Sequence, residues 1–396
     1  MCYFASMISR QLYKIIEKAL AESPVTAIIG PRQCGKTTLA RQFIKDRAVH
    51  FFDLENPADQ FALEDPVFTL EQYHDELVII DEAQRMPELF PAIRVLVDQN
   101  RKPGRFLLLG SASPDLRRQS AESLAGRIFT LELTPFLLQE INSVTGSLDK
   151  LWVSGGFPPS FLADTDSTSL QWRIHYLRDV VERDLGLLGF NLPPEKMWRF
   201  MQMLAHNHGQ LWNKAQLARS LDIGATTAGR YLDAIQQTLL VRRLQPFHKN
   251  LGKRLIKSPK VYIRDTGLLH ALLGLKTREQ LLGHPVRGNS WEILVIEQIA
   301  SCLPLGWELG FWRTSGGSEI DLLLISGGQV EIAIEIKAGL TPRPGRGFYE
   351  GCKDLNPAKE WIIYPGKRII PLNKGKTQAL PVKEAVNFLL SLSRNI

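Results

Sequence analysis

At 396 residues, 44% of them hydrophobic and 22% charged, the chain has the composition of a soluble globular protein. It is too long for one small core, and about two to four domains are expected. No apolar run reaches the ~18 residues that cross a bilayer, and no basic segment with a long apolar core opens the chain, so neither a membrane span nor a secretory signal is expected. The four cysteines show no C-x-x-C spacing, which excludes a cysteine zinc site and fits a reducing cytoplasm, while the formal charge of +7 points to a polyanionic partner only if the basic residues cluster.

In chain order, the first strand is predicted over Val25–Ile29. It runs straight into Gly30-Pro31-Arg32-Gln33-Cys34-Gly35-Lys36-Thr37-Thr38, after which Leu39, Ala40 and Phe43 follow a helical pattern. Gly30 and Gly35 let the backbone turn tightly, so that successive N–H groups and the helix start face phosphate oxygens. Lys36 supplies a point charge for the outer phosphates, and the Thr37 hydroxyl can ligate magnesium. Cys34 reads as a variable position of this loop rather than a nucleophile. Further strands are predicted over Val49–Asp53, Leu77–Ile80, Phe106–Gly110 and Ile128–Leu133, the layout of a parallel sheet alternating with helices. The third ends in Asp81-Glu82. Asp81 would hold magnesium through water near Thr37, and Glu82 would polarise the attacking water as general base. A lone acid after a strand can simply cap a helix, but pairing with the phosphate loop selects the nucleotide site.

With these residues the chain resembles the AAA+ superfamily. More closely, it is similar to a large prokaryotic family of mostly uncharacterised ATP-binding proteins that fuse such a core to a C-terminal nuclease-like domain. The likeness is carried by GPRQCGKTT, LVIIDEAQ and FLLLGSAS, then LAGRIFTLELTPF and Gly155-Gly156-Phe157-Pro158, and covers essentially the whole chain. It implies ATP with Mg2+ and a homo-oligomer, a hexameric ring among its forms, that completes each site between subunits. It also implies a first sensor at the end of the fourth strand, which makes Ser111 the candidate and Ser113 the next; a helix cap ahead of Pro114 explains either as well. Arg127 stands where an arginine finger would serve a neighbouring subunit, with a plain surface arginine as the alternative. Guanine nucleotide is disfavoured because Asn213-Lys214-Ala215-Gln216 lacks the acid of Asn-Lys-x-Asp, and a kinase because the acid pair favours water as acceptor.

Past Thr134 the pattern turns helical. Leu170, Ile174, Leu177, Val181 and Leu185 form one apolar stripe, as expected of a helical lid, and Arg173, Arg178 and Arg183 read as its solvated face. Prolines at 193 and 194 mark a junction. A helix ending in a tight turn, over Asn213 to Gly224, and a second helix from Ala225 to Leu240 then resemble a helix-turn-helix within a winged-helix domain, with Thr226, Thr227 and Arg230 on the exposed face. From Val241 to Arg264 the chain carries Arg242, Arg243, Lys249, Lys253, Arg254, Lys257, Lys260 and Arg264 and no acid, a cluster suited to nucleic-acid phosphates on a hairpin wing. Winged helices also serve protein contacts, and that reading stays open.

The last third holds a second constellation. A helix from Trp291 bears Glu292, a strand covers Glu308–Arg313, and a Gly327-Gly328 turn joins strands over Glu319–Ile325 and Val330–Lys337, before a final strand at Trp361–Tyr364. Glu335 and Lys337 share one strand face, and Asp321 on the partner strand can approach them. Two carboxylates gather a hard cation, while Lys337 would stabilise the nucleophile. The order Glu292, Asp321, Glu335-x-Lys337 resembles the PD-(D/E)xK nuclease superfamily, with Ile320-Asp321 in place of its Pro-Asp. That likeness implies metal at Glu292, Asp321 and Glu335.

The expected fold is therefore α/β. A P-loop AAA+ parallel-sheet core fills 1–145, a helical lid 146–190, a winged helix 191–275 and a PD-(D/E)xK-type αβββαβ domain 280–396. The expected function is ATP binding and hydrolysis at Lys36, Thr37, Asp81 and Glu82, coupled to DNA binding through Arg230, Arg242, Arg243, Lys249, Lys253, Arg254 and Lys257, with DNA cleavage at the C-terminal site. The rival is a nucleotide-dependent binding regulator without nuclease activity. A signalling ATPase of the STAND type lacks support, because no long C-terminal repeat array follows.

Overall fold

The computed structural model describes residues 8–45, 48–111, 122–141, 148–190, 192–248 and 256–393. Lys249, Lys253, Arg254 and Ser113 lie outside them. Five parallel strands, β1 (Val25–Ile29), β2 (Val49–Asp53), β3 (Leu77–Asp81), β4 (Phe106–Gly110) and β5 (Ile128–Glu132), form a sheet in the order β2-β3-β4-β1-β5. β1, β3 and β4 are buried at every position, because they are central and covered on both faces. At the edges, β2 is half-buried at every position but Phe52, and β5 is half-buried or exposed throughout. Ile16, Leu20, Leu39 and Phe43 pack one face, and Phe90, Ile93, Leu96 and Val97 of the helix Leu89–Gln99 pack the other. Parallel pairing brings the carboxyl ends of all five strands to one edge, so the phosphate loop, Asp81 and Ser111 gather there.

The helix Asp166–Asp179 continues through a π-helical turn, Val180–Asp184, into Leu185–Leu187. Its stripe is Leu170, Leu177, Val181 and Leu185, with Ile174 half-buried. Arg173 belongs to that stripe and not to a solvated face. It is buried, and its guanidinium donates to the carbonyls of Ser169, Val153 and Gly267 at 3.2, 3.3 and 2.9 Å.

Helices Pro194–His206, Lys214–Ser220 and Ala225–Gln237 precede the hairpin of β6 (Val241–Pro246) and β7 (Lys260–Ile263). This hairpin is no free wing. β6 pairs in parallel with β8 (Trp307–Arg313) through Gln245–Gly310 and Pro246–Phe311, and so extends the C-terminal sheet. With β9 (Glu319–Ser326), β10 (Gln329–Ile336), β11 (Lys359–Tyr364), β12 (Ile370–Leu372) and β13 (Thr377–Pro381), that sheet has eight strands in the order β12-β13-β11-β10-β9-β8-β6-β7. The boundary expected near 275–280 is thus crossed by the sheet. One apolar core runs from Phe136 to Leu389, including Phe200, Tyr262, Trp291 and Leu324.

Candidate nucleotide site and C-terminal acid cluster

The phosphate loop leaves β1 and re-enters a helix at Lys36, which demands left-handed backbone at Gln33 (φ 58°) and Gly35 (φ 102°). Glycine adopts that geometry freely, and Gln33 is held in it by the loop around it. Gly30 has no room for a side chain, since a Cβ would stand 2.5 Å from the Leu133 carbonyl. The buried Cys34 thiol donates to that same carbonyl at 3.4 Å, and burial pushes its pKa up; Cys34 is a wedge beneath the loop. Arg10 holds the loop from outside, donating to Cys34 O at 2.9 Å and Thr134 O at 2.5 Å while pairing with buried Glu140 at 3.1 Å. The Lys36 ammonium donates to the carbonyls of Gly30 and Pro31, both at 3.1 Å.

Thr37 and Asp81 meet. The Thr37 hydroxyl donates to Asp81 Oδ2 at 2.5 Å, and the Glu82 amide donates to Asp81 Oδ1 at 2.9 Å. Glu82 takes a left-handed conformation (φ 53°), which turns its side chain sharply away from the strand. Burial raises the pKa of Asp81 and of Glu82, against the lowering effect of Lys36. A half-buried residue that sequence reasoning passed over joins these parts: the Gln84 amide donates to Glu82 Oε2 and, at 3.0 Å, to Ser111 Oγ. Its own Oε1 is buried and has no partner among the described residues. The helix Asp166–Asp179 and its π-helical turn also clasp the loop, with Trp172 Nε1 donating to Gln33 at 3.1 Å and Asp184 pairing with Arg32 at 2.8 Å. Thr38 is exposed on the helix.

Arg127 lies at the other end of the sheet. Its carbonyl accepts from Val25 N at the start of β1, and its guanidinium grips Asp98 at 2.6 and 2.9 Å. Five residues of strand, about 16 Å, separate it from the loop of its own chain.

In the C-terminal sheet, Glu292 on the helix Arg287–Ala300, Asp321 on β9, and Glu335 and Lys337 around the end of β10 converge as expected from the strand parity. Lys337 donates to Glu335 at 2.6 Å, and the Ile336 amide donates to Asp321 Oδ2 at 2.8 Å. Burial raises the pKa of all three acids, that of Glu292 and of Glu335 to about 7. Three further groups share the cluster. Lys260 of β7, 4% exposed, reaches Glu292 Oε1 at 3.1 Å and pairs with Glu319, and the Tyr262 hydroxyl donates to Glu292.

These contacts revise the expectation of a metal cage at Glu292, Asp321 and Glu335. Although these acids lie near one another, among the described residues no three His, Cys, Asp or Glu side chains are arranged to hold a metal ion. One oxygen of each is engaged, Glu292 Oε1 by Lys260 and Tyr262, Asp321 Oδ2 by the Ile336 amide and Glu335 Oε1 by Lys337.

The basic run is revised as well. Arg242 and the half-buried Arg264 both clamp Glu297, whose pKa falls to about 2 as these two arginines outweigh its burial, and Arg243 pairs with Asp233. Arg242 and Arg243 are thus half-buried and each engaged in an ion pair, Arg243 with the exposed Asp233. Lys257 is exposed, as are Lys214, Arg219 and Arg230 on the two helices before the hairpin.

Comparison with known proteins agrees on the first part of the chain. A family model described as an AAA domain matches residues 22–142, and two described as domains of unknown function, DUF8612 and DUF4143, match residues 145–279 and 287–385. Among solved structures, a Walker-type ATPase of Pyrococcus abyssi is 15% identical with a TM-score of 0.45, covering 67% of this chain and 96% of that one. The RuvB Holliday junction branch migration motor of Thermotoga maritima is 18% identical with a TM-score of 0.29, covering 60% and 90%. The uncharacterized protein Rv2008c of Mycobacterium tuberculosis and its counterpart Mb2031c of Mycobacterium bovis are each 47% identical over 358 residues, 90% of this chain and 80% of the relative. The chain belongs to the family of these mycobacterial proteins and carries at its start the AAA domain of an ATPase.

Proposed function

We propose that this protein hydrolyses ATP to drive movement of a nucleic-acid-binding body made of its middle and C-terminal segments. The observation that carries the reading is the convergence of Thr37, Asp81, Glu82, Gln84 and Ser111 at one edge of the sheet. Thr37 and Asp81 fit a magnesium ion, which would neutralise phosphate charge. Glu82, its pKa raised by burial, takes a proton from the attacking water; Gln84 holds that carboxylate toward Ser111. The unpartnered Gln84 Oε1 is suited to accept from the same water. Lys36 turns from loop carbonyls to the outer phosphates. Arg127 faces away from its own loop and serves a neighbouring copy, which calls for a homo-oligomer.

Nucleic acid is the partner favoured by the exposed Lys214, Arg219, Arg230 and Lys257 on a three-helix and hairpin arrangement of winged-helix order. A non-cleaving role is the second reading, and Lys260 within the acid cluster favours it over strand scission. The test is the ATP turnover rate against single-stranded, duplex and branched DNA and RNA. Stimulation by one class, lost in a Lys214→Ala/Arg230→Ala double variant, supports the reading. Equal turnover with every ligand, together with no binding to any, overturns the nucleic-acid part.

A further inference from the structure

A buried lysine inside a group of buried acids is unusual enough to need a reason, because each charge is costly to bury without a partner. Lys260 has been brought there by topology. It sits on β7, the outermost strand of the eight, and reaches the cluster only because β6 docks on β8 through a short parallel register. Phe247 N to Phe311 O at 2.7 Å and Ile256 N to Arg313 O at 3.1 Å complete that seam. Burial opposes the charge on Lys260, yet Glu292, Tyr262, Asp321 and Glu319 outweigh it and hold the ammonium well above its ordinary pKa. A compact ammonium with three donors satisfies several carboxylate oxygens at once, as a small hard cation would.

We infer that Lys260 is a tethered cation that takes the place of a divalent metal among Glu292, Glu319 and Asp321, so that the C-terminal cluster excludes metal while Lys260 is seated. The cluster is then a latent metal site. Admission of an ion requires the ammonium to leave, and because β7 is held on both sides, by β6 and by Gly209–Trp212 (Val261 N to Gln210 O at 3.2 Å, Trp212 N to Pro259 O at 2.7 Å), it is the Lys260 side chain that must swing away. The far end of β7 is tied to the nucleotide-binding sheet by Arg264, which places this strand between the two sites. The inference concerns the acid cluster and holds whether or not nucleic acid is the partner.

The experiment is Mn2+ titration of the full chain without nucleotide, by calorimetry, for wild type, Lys260→Met, Lys260→Gln and Lys260→Met/Asp321→Asn, with ATP turnover and circular dichroism on the same samples. The expected result is no Mn2+ site in the wild type up to about 1 mM, at least a tenfold gain in affinity in both single variants, and loss of that gain in the double variant. ATP turnover persists in all four, so failure of the nucleotide-site reading would be seen separately. Folded single variants that bind Mn2+ no better than wild type overturn the inference. Should the single variants unfold, the wild type decides: Mn2+ binding that Asp321→Asn abolishes overturns it, and the absence of such binding supports it.

Discussion

Arg264, at the end of β7, donates to Glu132, at the end of β5, at 2.6 Å, and so ties the strand that carries Lys260 to the edge of the nucleotide-binding sheet. Arg264 is half-buried and also serves Glu297 at 2.9 Å. Arg264→Met should destabilise the protein by about 2 kcal/mol in chemical denaturation, because the half-buried Glu297 keeps Arg242 but loses one of its two arginines. Glu132→Gln should cost under about 1 kcal/mol, because that carboxylate is partly solvated. Nucleotide should change amide exchange at Val261–Ile263 in the wild type and change it less in Glu132→Gln. Equal responses would show that this contact carries no coupling.

Glu82 and Gln84 separate chemistry from binding. Glu82→Gln should keep nucleotide affinity and lower kcat by about 10²–10⁴-fold, the usual contribution of a general base. Gln84→Leu should lower kcat by up to about 10²-fold through misplacement of the Glu82 carboxylate, with KM little changed. Steady-state turnover and equilibrium nucleotide binding read the two effects. A change in affinity with unchanged kcat would assign Gln84 to binding instead.

Gly155 allows Asp265 to come close. A Cβ there would lie 2.1 Å from Asp265 Oδ1, at a backbone φ of +76°, and Gly156 N donates to the same carboxylate at 2.7 Å. Gly155→Ala should cost roughly 2–4 kcal/mol from overpacking plus left-handed strain. Denaturant midpoints of the full chain would measure it.

His270 is neutral and fully bonded. Val153 O can only accept, so Nδ1 carries the proton at 3.0 Å, and Nε2 accepts from the Ser290 hydroxyl at 2.8 Å. Burial lowers its pKa to about 4. The unfolded chain therefore binds a proton that the folded one refuses. The stability this group contributes is fully present above about pH 6.5 and is lost as pH falls toward 4, by at most about 1.4 kcal/mol per pH unit. Glu292 and Glu335, with raised pKa values, act in the opposite sense over an overlapping range, so the wild-type curve alone is a poor probe. The stability gap between wild type and His270→Gln should narrow as pH drops from 6.5 to 5. A constant gap would contradict a depressed pKa.

The nucleotide-binding sheet was legible because its strands announce themselves. Val25–Ile29, Leu77–Ile80 and Phe106–Gly110 are unbroken apolar runs ending in chemically marked residues, and central parallel strands need that pattern. Glu335 and Lys337 could be paired from strand parity alone. Arg173 could have been found, since it falls three residues after Leu170 on the apolar stripe, but its charge argued against its position. Lys260 could not. Its partner Glu292 lies far along the chain, and the two meet only through the β6–β8 seam, for which neither strand carries a local signal. β12 and β13 were hidden for a simpler reason: Ile370–Leu372 contains a proline and is very short, and Thr377–Pro381 has no clear alternation.

The shared eight-stranded sheet has a practical consequence for anyone dissecting this protein. Trimming the chain between the middle and last segments would strip the β6–β7 hairpin from β8, expose that strand's unbonded backbone, and leave Glu292 and Glu319 without Lys260. Such a fragment would self-associate through its raw edge, whereas a cut before Phe136, where the joint core begins, would keep the two segments together as one stable piece.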